Sequence, residues 1–196
     1  WTDQPEFKLT LGEDGGILAK GTYGQGAVLS NTGMGAKMIW YPRKAAFRAG
    51  WQLSNEWNDD MIGNYSVALG ATTEANGNYS LATGWNSVAA GQSTIAMGFA
   101  AEANDNTAIA IGTDVVANGF SAISLGRQSS AESNYSITLG KYLKASAAGA
   151  IVLGSGTNTS TRLENTITNS LMIGFSEVPT MMINSERVGI GTTGFN

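Results

Sequence analysis

Between residues 66 and 154 the chain alternates large apolar and small residues in five-residue phrases that recur without slippage. Ser66-Val67-Ala68-Leu69-Gly70 returns as Ser80-Leu81-Ala82-Thr83-Gly84, Thr94-Ile95-Ala96-Met97-Gly98 and Ala108-Ile109-Ala110-Ile111-Gly112, and so on to Ala150-Ile151-Val152-Leu153-Gly154. Each closing glycine lies fourteen residues after the last. A fixed step without insertion means one supersecondary unit stacked on copies of itself. Five residues past each glycine from Gly70 to Gly140 comes alanine (Ala75, Ala89, Ala103, Ala117, Ala131, Ala145), and Asn64, Asn78, Asn106 and Asn134 recur just before the phrase. Each coil therefore reads as strand, glycine turn, second strand, then an Asn- or Gly-based turn, residues that tolerate left-handed backbone. Strands of about five residues suit this step, and each coil advances the rod by ~4.8 Å. Seven coils over residues 62–155 then span ~34 Å.

Alternation decides the faces. The middle of each first strand is mostly small: Ala68, Ala82, Ala96, Ala110, Ser124, Thr138, Val152. On the second strand the positions in phase with alanine are small and their neighbours largely polar. A narrow interior lined by the small residues follows. The flanking residues of the first strand then point outward: Val67, Leu69, Leu81, Ile95, Met97, Ile109, Ile111, Ile123, Leu125, Ile137, Leu139, Ile151 and Leu153, with Thr83 the one polar member. An apolar ladder on the outside calls for a partner. At ~1.5–3 kcal/mol per buried side chain, it supplies at most roughly 20–40 kcal/mol per chain before association costs. These residues are the expected interface of a homotrimer. The opposite arrangement, with large residues inside, leaves half of a wide interior empty on the second strand.

The flanks read as atypical terminal repeats. Ala46-Phe47-Arg48-Ala49-Gly50 echoes the phrase twenty residues before Gly70, and Leu171-Met172-Ile173-Gly174 twenty residues after Gly154, so each end carries six extra residues. Solenoids need such end units. The expected division is an N-terminal β cap over residues 1–61, a seven-coil β-roll over 62–155, and a C-terminal cap leading into a following fibre module over 156–196. Residues 1–45 read as β-hairpins broken by Glu13-Asp14-Gly15-Gly16 and Tyr23-Gly24-Gln25-Gly26. Trp40, Tyr41, Phe47, Trp51 and Trp57 are the expected core of the first cap. No amphipathic helix is evident.

Composition narrows the chemistry. Charged residues are only 13%, and glycine is 26 of 196 residues, roughly twice its usual share. The net charge of −4 offers no basic footprint for nucleic acid. No stretch reaches the ~18–20 apolar residues of a transmembrane helix. Trp1 opens the chain without a signal peptide, as expected of a processed product or a piece of a longer protein. Histidine and cysteine are both absent, which excludes Cys nucleophiles, His bases, disulfides and His/Cys zinc sites. No cofactor is implied.

Candidate sites are few. Glu13-Asp14 and Asp59-Asp60 pair carboxylates as a glycosidase does, but both sit among turn residues and read as solvated loop acids. Asn104-Asp105-Asn106 lies at the repeat's turn with one carboxylate, too few for tight calcium binding; no metal site is expected. The Asn-Tyr-Ser triplets at 64–66, 78–80 and 134–136 match a glycosylation acceptor, yet their period makes them turn followed by strand. Corner aromatics carry more interest. Tyr65, Tyr79 and Tyr135, with Phe120 beside the same line, share one corner; Trp85 and Phe99 follow their glycines on the other. Such ladders stack on sugar rings or anchor a protein partner, or they cover the seam between neighbouring chains.

With the phrases Ser-Val-Ala-Leu-Gly and Ala-x-Ala-Asn-Gly-Asn-Tyr-Ser in view, residues 62–155 resemble the head repeats of trimeric autotransporter adhesins. The resemblance implies an all-β fold, a left-handed parallel β-roll of fourteen-residue coils. It also implies three chains about a shared axis, and an extracellular, cell-surface role in binding a host-surface glycan or protein receptor. The tail Arg187-Val188-Gly189-Ile190-Gly191-Thr192-Thr193 resembles a phrase of phage tail fibres and large marine bacterial surface proteins, where it often precedes a further trimeric or intramolecular-chaperone module. A coiled-coil stalk and a membrane anchor, both part of the adhesin pattern, are not evident in the chain. The expected function is a non-enzymatic adhesion head; a phage or contractile-injection tail fibre is the alternative, and a polysaccharide-cleaving tailspike a more distant one. Hexapeptide acyltransferases stack longer coils and use histidine. An ice-binding array requires regular threonines where positions 72, 86, 100, 114, 128 and 142 read Thr, Asn, Ala, Asp, Gln, Tyr.

Overall fold

The computed structural model describes residues 15–191. Strands Val67–Ala71, Leu81–Trp85, Ile95–Phe99, Ile109–Thr113, Ile123–Arg127, Ile137–Lys141 and Ile151–Ser155 pair in parallel. Equivalent residues face one another at every rung, Gly70 against Gly84 and so on to Gly140 against Gly154. From Gly70 to Gly154 the chain thus makes six fourteen-residue steps of a β-solenoid. The second strands, from Glu74–Ala75 to Leu163–Asn165, form a separate parallel 7-stranded sheet. They are shorter than the sequence suggests, two or three residues each. Left-handed residues at both corners shorten the extended stretch between them.

The interior is narrow. Ala68, Ala82, Ala96, Ala110, Ser124, Thr138 and Val152 are fully buried, as are Ala75, Ala89, Ala103, Ala117, Ala131 and Ala145. The alanine-lined part gives way toward the C-terminus to Leu143, Val152, Leu163 and Met172. Buried hydroxyls spend their protons locally: Ser66, Ser80, Thr94 and Ser136 each donate to the carbonyl three residues earlier, at 2.5–2.7 Å. The serines of all three Asn-Tyr-Ser triplets are therefore inside the coil, where they build the turn.

Each glycine closing a phrase is required twice over. Gly98 has φ +130°, and a Cβ there would lie 2.0 Å from the Gly112 carbonyl oxygen. The other corner departs from expectation. Asn64, Asn78, Asn106 and Asn134 do not adopt the left-handed conformation; the next residue does, and across this corner φ lies between 54° and 60° at Tyr65, Tyr79, Ser93, Thr107, Ser121 and Tyr135. Such residues carry ~1–2 kcal/mol of strain each, offset because their N–H groups join the ladder, as Tyr79 does to the Asn64 carbonyl at 2.8 Å. The asparagine side chains instead tie coil to coil. Asn78 Oδ1 accepts the Asn64 N–H at 2.9 Å, and Asn106 and Asn134 do the same for Gln92 and Phe120.

Both ends extend the longer sheet to 12 strands. At the N-terminal side, Gly35–Tyr41 and Ala46–Gln52 form an antiparallel hairpin. Its second strand pairs in parallel with Val67–Ala71, Gly50 opposite Gly70. At the other side Leu171–Gly174 continues the parallel ladder, Gly154 opposite Gly174, before Met181–Ile183 and Val188–Ile190 turn antiparallel. Helix among the described residues is limited to the 3-10 turns Pro42–Lys44 and Asp59–Met61.

Two expectations for the first segment are corrected. Among the described residues, 15–34 form no strand, and this segment contributes one hairpin, Gly35–Tyr41 with Ala46–Gln52, where several were expected. The Glu13-Asp14 turn lies outside the described residues. Of the five aromatics expected in a common core, Tyr41 and Trp57 are buried, Phe47 is half-buried, and Trp40 and Trp51 are exposed at 44% and 40%. Strand alternation is the reason: Arg48 and Gln52 take the inward positions of Ala46–Gln52, which turns Phe47 and Trp51 outward. Both inward side chains are fully buried. Arg48 donates four hydrogen bonds, to the Phe47, Ser66 and Ala75 carbonyls and to Ser66 Oγ, at 2.8–2.9 Å. Burial lowers its pKa to about 10, so it remains charged at neutral pH. Gln52 Nε2 and Trp57 Nε1 both donate to the Thr73 carbonyl, at 2.9 and 2.8 Å. The Thr73 carbonyl precedes, and the Ala75 carbonyl ends, the first strand of the shorter sheet, which has no strand beyond it.

Candidate functional site

The two sheets present opposite chemistry to their surroundings. Because the small residues fill the interior, Val67, Leu81, Ile95, Ile109, Ile123, Ile137 and Ile151 form one half-buried outward column. Leu69, Met97, Ile111, Leu125, Leu139 and Leu153 form the next, reaching 50% exposure at Leu139. Parallel register stacks each column like on like. All thirteen sequence-derived ladder residues thus share one outer face.

That face continues beyond the repeats. Trp40 lies opposite Phe47 and Met38 opposite Ala49, so both side chains join the columns, Met38 at 74% exposure. Ile183 opposite Leu171 and Met181 opposite Ile173 carry it the other way, to Ile190. Repeat periodicity did not reveal these residues because they belong to antiparallel strands outside the fourteen-residue step. The shorter sheet shows polar residues instead. Asn104 Nδ2 donates to Asn118 Oδ1 at 2.8 Å, and Lys144 pairs with Glu132 and Glu164 at 3.4 and 3.5 Å.

The corner aromatics are exposed and stacked. Tyr65 and Tyr79 lie 5.1 Å apart at 8°, and Tyr23, which the repeat could not predict, adds a third ring 5.2 Å from Tyr65. Trp85 and Phe99 stack at 4.6 Å on the other corner. Phe120 and Tyr135 meet edge to face at 5.6 Å. Sandwiching a sugar between two rings requires roughly twice the van der Waals carbon separation, about 7–8 Å. The stacked rings already cover each other, leaving edges and end faces to any ligand.

The candidate acids have local work. Asp59 accepts from Tyr41 Oη at 2.5 Å and pairs with Arg43 and Lys44 at 3.7 and 3.6 Å, which fastens the turn at Asp59–Met61 to the hairpin. Asp105 Oδ1 accepts the Asn106 N–H at 2.7 Å, the geometry of a turn. Among the described residues no group of three or more acidic side chains is placed to hold a metal ion. No helix among them is long and apolar enough to cross a membrane.

Stacked fourteen-residue coils, alanine inside and aliphatic residues outside, define a repeat β-solenoid. Residues 62–87, 89–114 and 117–142 match the family model of the YadA head domain repeat (2 copies), and this match together with the solenoid fits trimeric autotransporter adhesin head repeats. No curated protein and no solved structure matches the chain.

Proposed function

We propose that the chain is a segment of a homotrimeric, non-enzymatic adhesion head, carried on an extracellular surface fibre and binding a host-surface glycan or protein receptor. The observation that carries this reading is the unpartnered aliphatic face of the longer sheet. It runs the length of the rod, and the interior behind it is already filled. Three such faces turned toward a common axis bury one another and leave the three polar sheets outward, available for contact. The thirteen ladder residues form the interface, extended by Met38, Trp40 and Met181. The corner rings Tyr65, Tyr79, Phe120 and Tyr135 on one edge, and Trp85 and Phe99 on the other, border that face and close the seam between subunits. The segments before residue 62 and after 155 act as caps on a roll of seven coils. The family match supports an adhesin head over a tail-fibre segment.

Analytical ultracentrifugation of the purified protein tests the assembly: a mass of three chains is expected, and a folded monomer overturns it. Adhesion of the soluble trimer to host cells tests the role.

A further inference from the structure

Regular coils stack in register along the rod. The six extra residues between Ser155 and Leu163 break that regularity. They form a loop that overhangs the end of the polar sheet and encloses an open groove of about 570 Å³. Its floor is the ion-paired row in which Lys144 Nζ sits 3.4 Å from Glu132 and 3.5 Å from Glu164. Arg162 stands on the overhanging loop and Glu177 on the loop after Gly174. The two loops are joined where Thr157 Oγ1 donates to Glu177 Oε2 at 2.9 Å. The overhang is held in shape by Asn158 Oδ1, which accepts the Ser160 and Thr161 N–H groups at 2.8 and 3.0 Å.

We infer that this groove is a binding site for a neutral, polyhydroxylated ligand, a short oligosaccharide segment. The chemistry of the lining selects that class. Carboxylates accept pairs of hydroxyl protons, while Lys144 and Arg162 donate to hydroxyl oxygens. An anion entering the groove meets three carboxylates; a cation meets an ammonium and a guanidinium. A neutral sugar satisfies both kinds of group at once. The volume falls in the ordinary range of ligand sites, ~300–1,000 Å³, and accepts a few sugar rings. The groove lies on the polar sheet, separated from the aliphatic face by the buried interior, so assembly through that face leaves it open. The inference rests on the adhesive reading above. Three copies per trimer convert weak single-site affinity into avidity.

The test uses the purified oligomer on a printed array of neutral, sialylated and sulfated oligosaccharides, with host-type and bacterial-type structures as separate arms. Binding to neutral structures in either arm is expected, and that arm identifies the source. Glu132→Gln combined with Glu164→Gln, and separately Arg162→Ala on the exposed loop, are each expected to lower binding at least tenfold with the oligomer's mass unchanged. Retention only by acidic glycans, or binding indifferent to both variants, overturns the assignment. Attachment to host cells with no glycan retained sinks the groove but leaves the adhesive reading standing; absence of both sinks the two together.

Discussion

Trp57 Nε1 donates to the Thr73 carbonyl oxygen at 2.8 Å, and its indole, fully buried, packs against the first alanines of the solenoid interior. A side chain from outside the repeat thus supplies a donor where the shorter sheet has no further strand. Trp57→Ala removes that donor and opens the end of the interior, at a cost of about 3–5 kcal/mol. Trp57→Phe keeps most of the volume and loses the hydrogen bond, about 1 kcal/mol. Denaturant unfolding of the two variants measures both quantities; equal losses contradict the plugging role.

The outward ladder makes a separate prediction. Ile109 is half-buried in the single chain and points away from the interior. Ile109→Asp is expected to leave the coil folded and abolish assembly, because three carboxylates cannot share a dry axis. Circular dichroism with light scattering reads fold and mass together. A trimeric Ile109→Asp protein refutes the interface.

Trp85 sits at the rim of the same face. Trp85→Ala is expected to weaken assembly without abolishing it, raising the subunit concentration needed for half-dissociation. Assembly unchanged with adhesion lost reassigns the Trp85–Phe99 stack to the receptor.

Glycines differ in what they resist. At Gly98 an added Cβ meets the Gly112 carbonyl oxygen at 2.0 Å, whereas at Gly24, φ +76°, nothing lies within 4 Å. Gly24→Ala should cost only backbone strain, ~1–2 kcal/mol. Gly98→Ala should cost clearly more, since two coils must part to admit it. Thermal unfolding of the pair distinguishes close approach from conformational preference; equal shifts would falsify the steric account.

Alkaline pH probes the turn at Asp59. The Tyr41 phenol is raised above its ordinary value near 10, by burial first and then by its hydrogen bond to Asp59. A raised folded value means the stabilisation is complete below the unfolded value and is lost as pH rises through the folded one. Arg48, lowered to about 10, acts with the opposite sign, so the contribution of Tyr41 is read against Tyr41→Phe. The variant should show a smaller loss of stability at alkaline pH than the parent.

The periodic part of this protein was legible residue by residue. A hollow one coil wide admits only Ala, Ser, Thr or Val at positions 68 to 152, so small residues in phase, and Ile or Leu out of phase, declare inside and outside without coordinates. Gly70 and its successors set the step and the register for the same reason: backbone comes too close for a side chain. What broke the period stayed hidden. Tyr65, and not Asn64, takes the left-handed corner, while the next asparagine's side-chain amide oxygen accepts the Asn64 N–H in place of a ladder carbonyl, a choice composition does not reveal. Arg48 facing inward, Trp57 reaching Thr73, Tyr23 stacking on Tyr65 and the loop over Lys144 all join residues separated by irregular chain. Such contacts depend on where a loop returns in space, and only the folded backbone decides that.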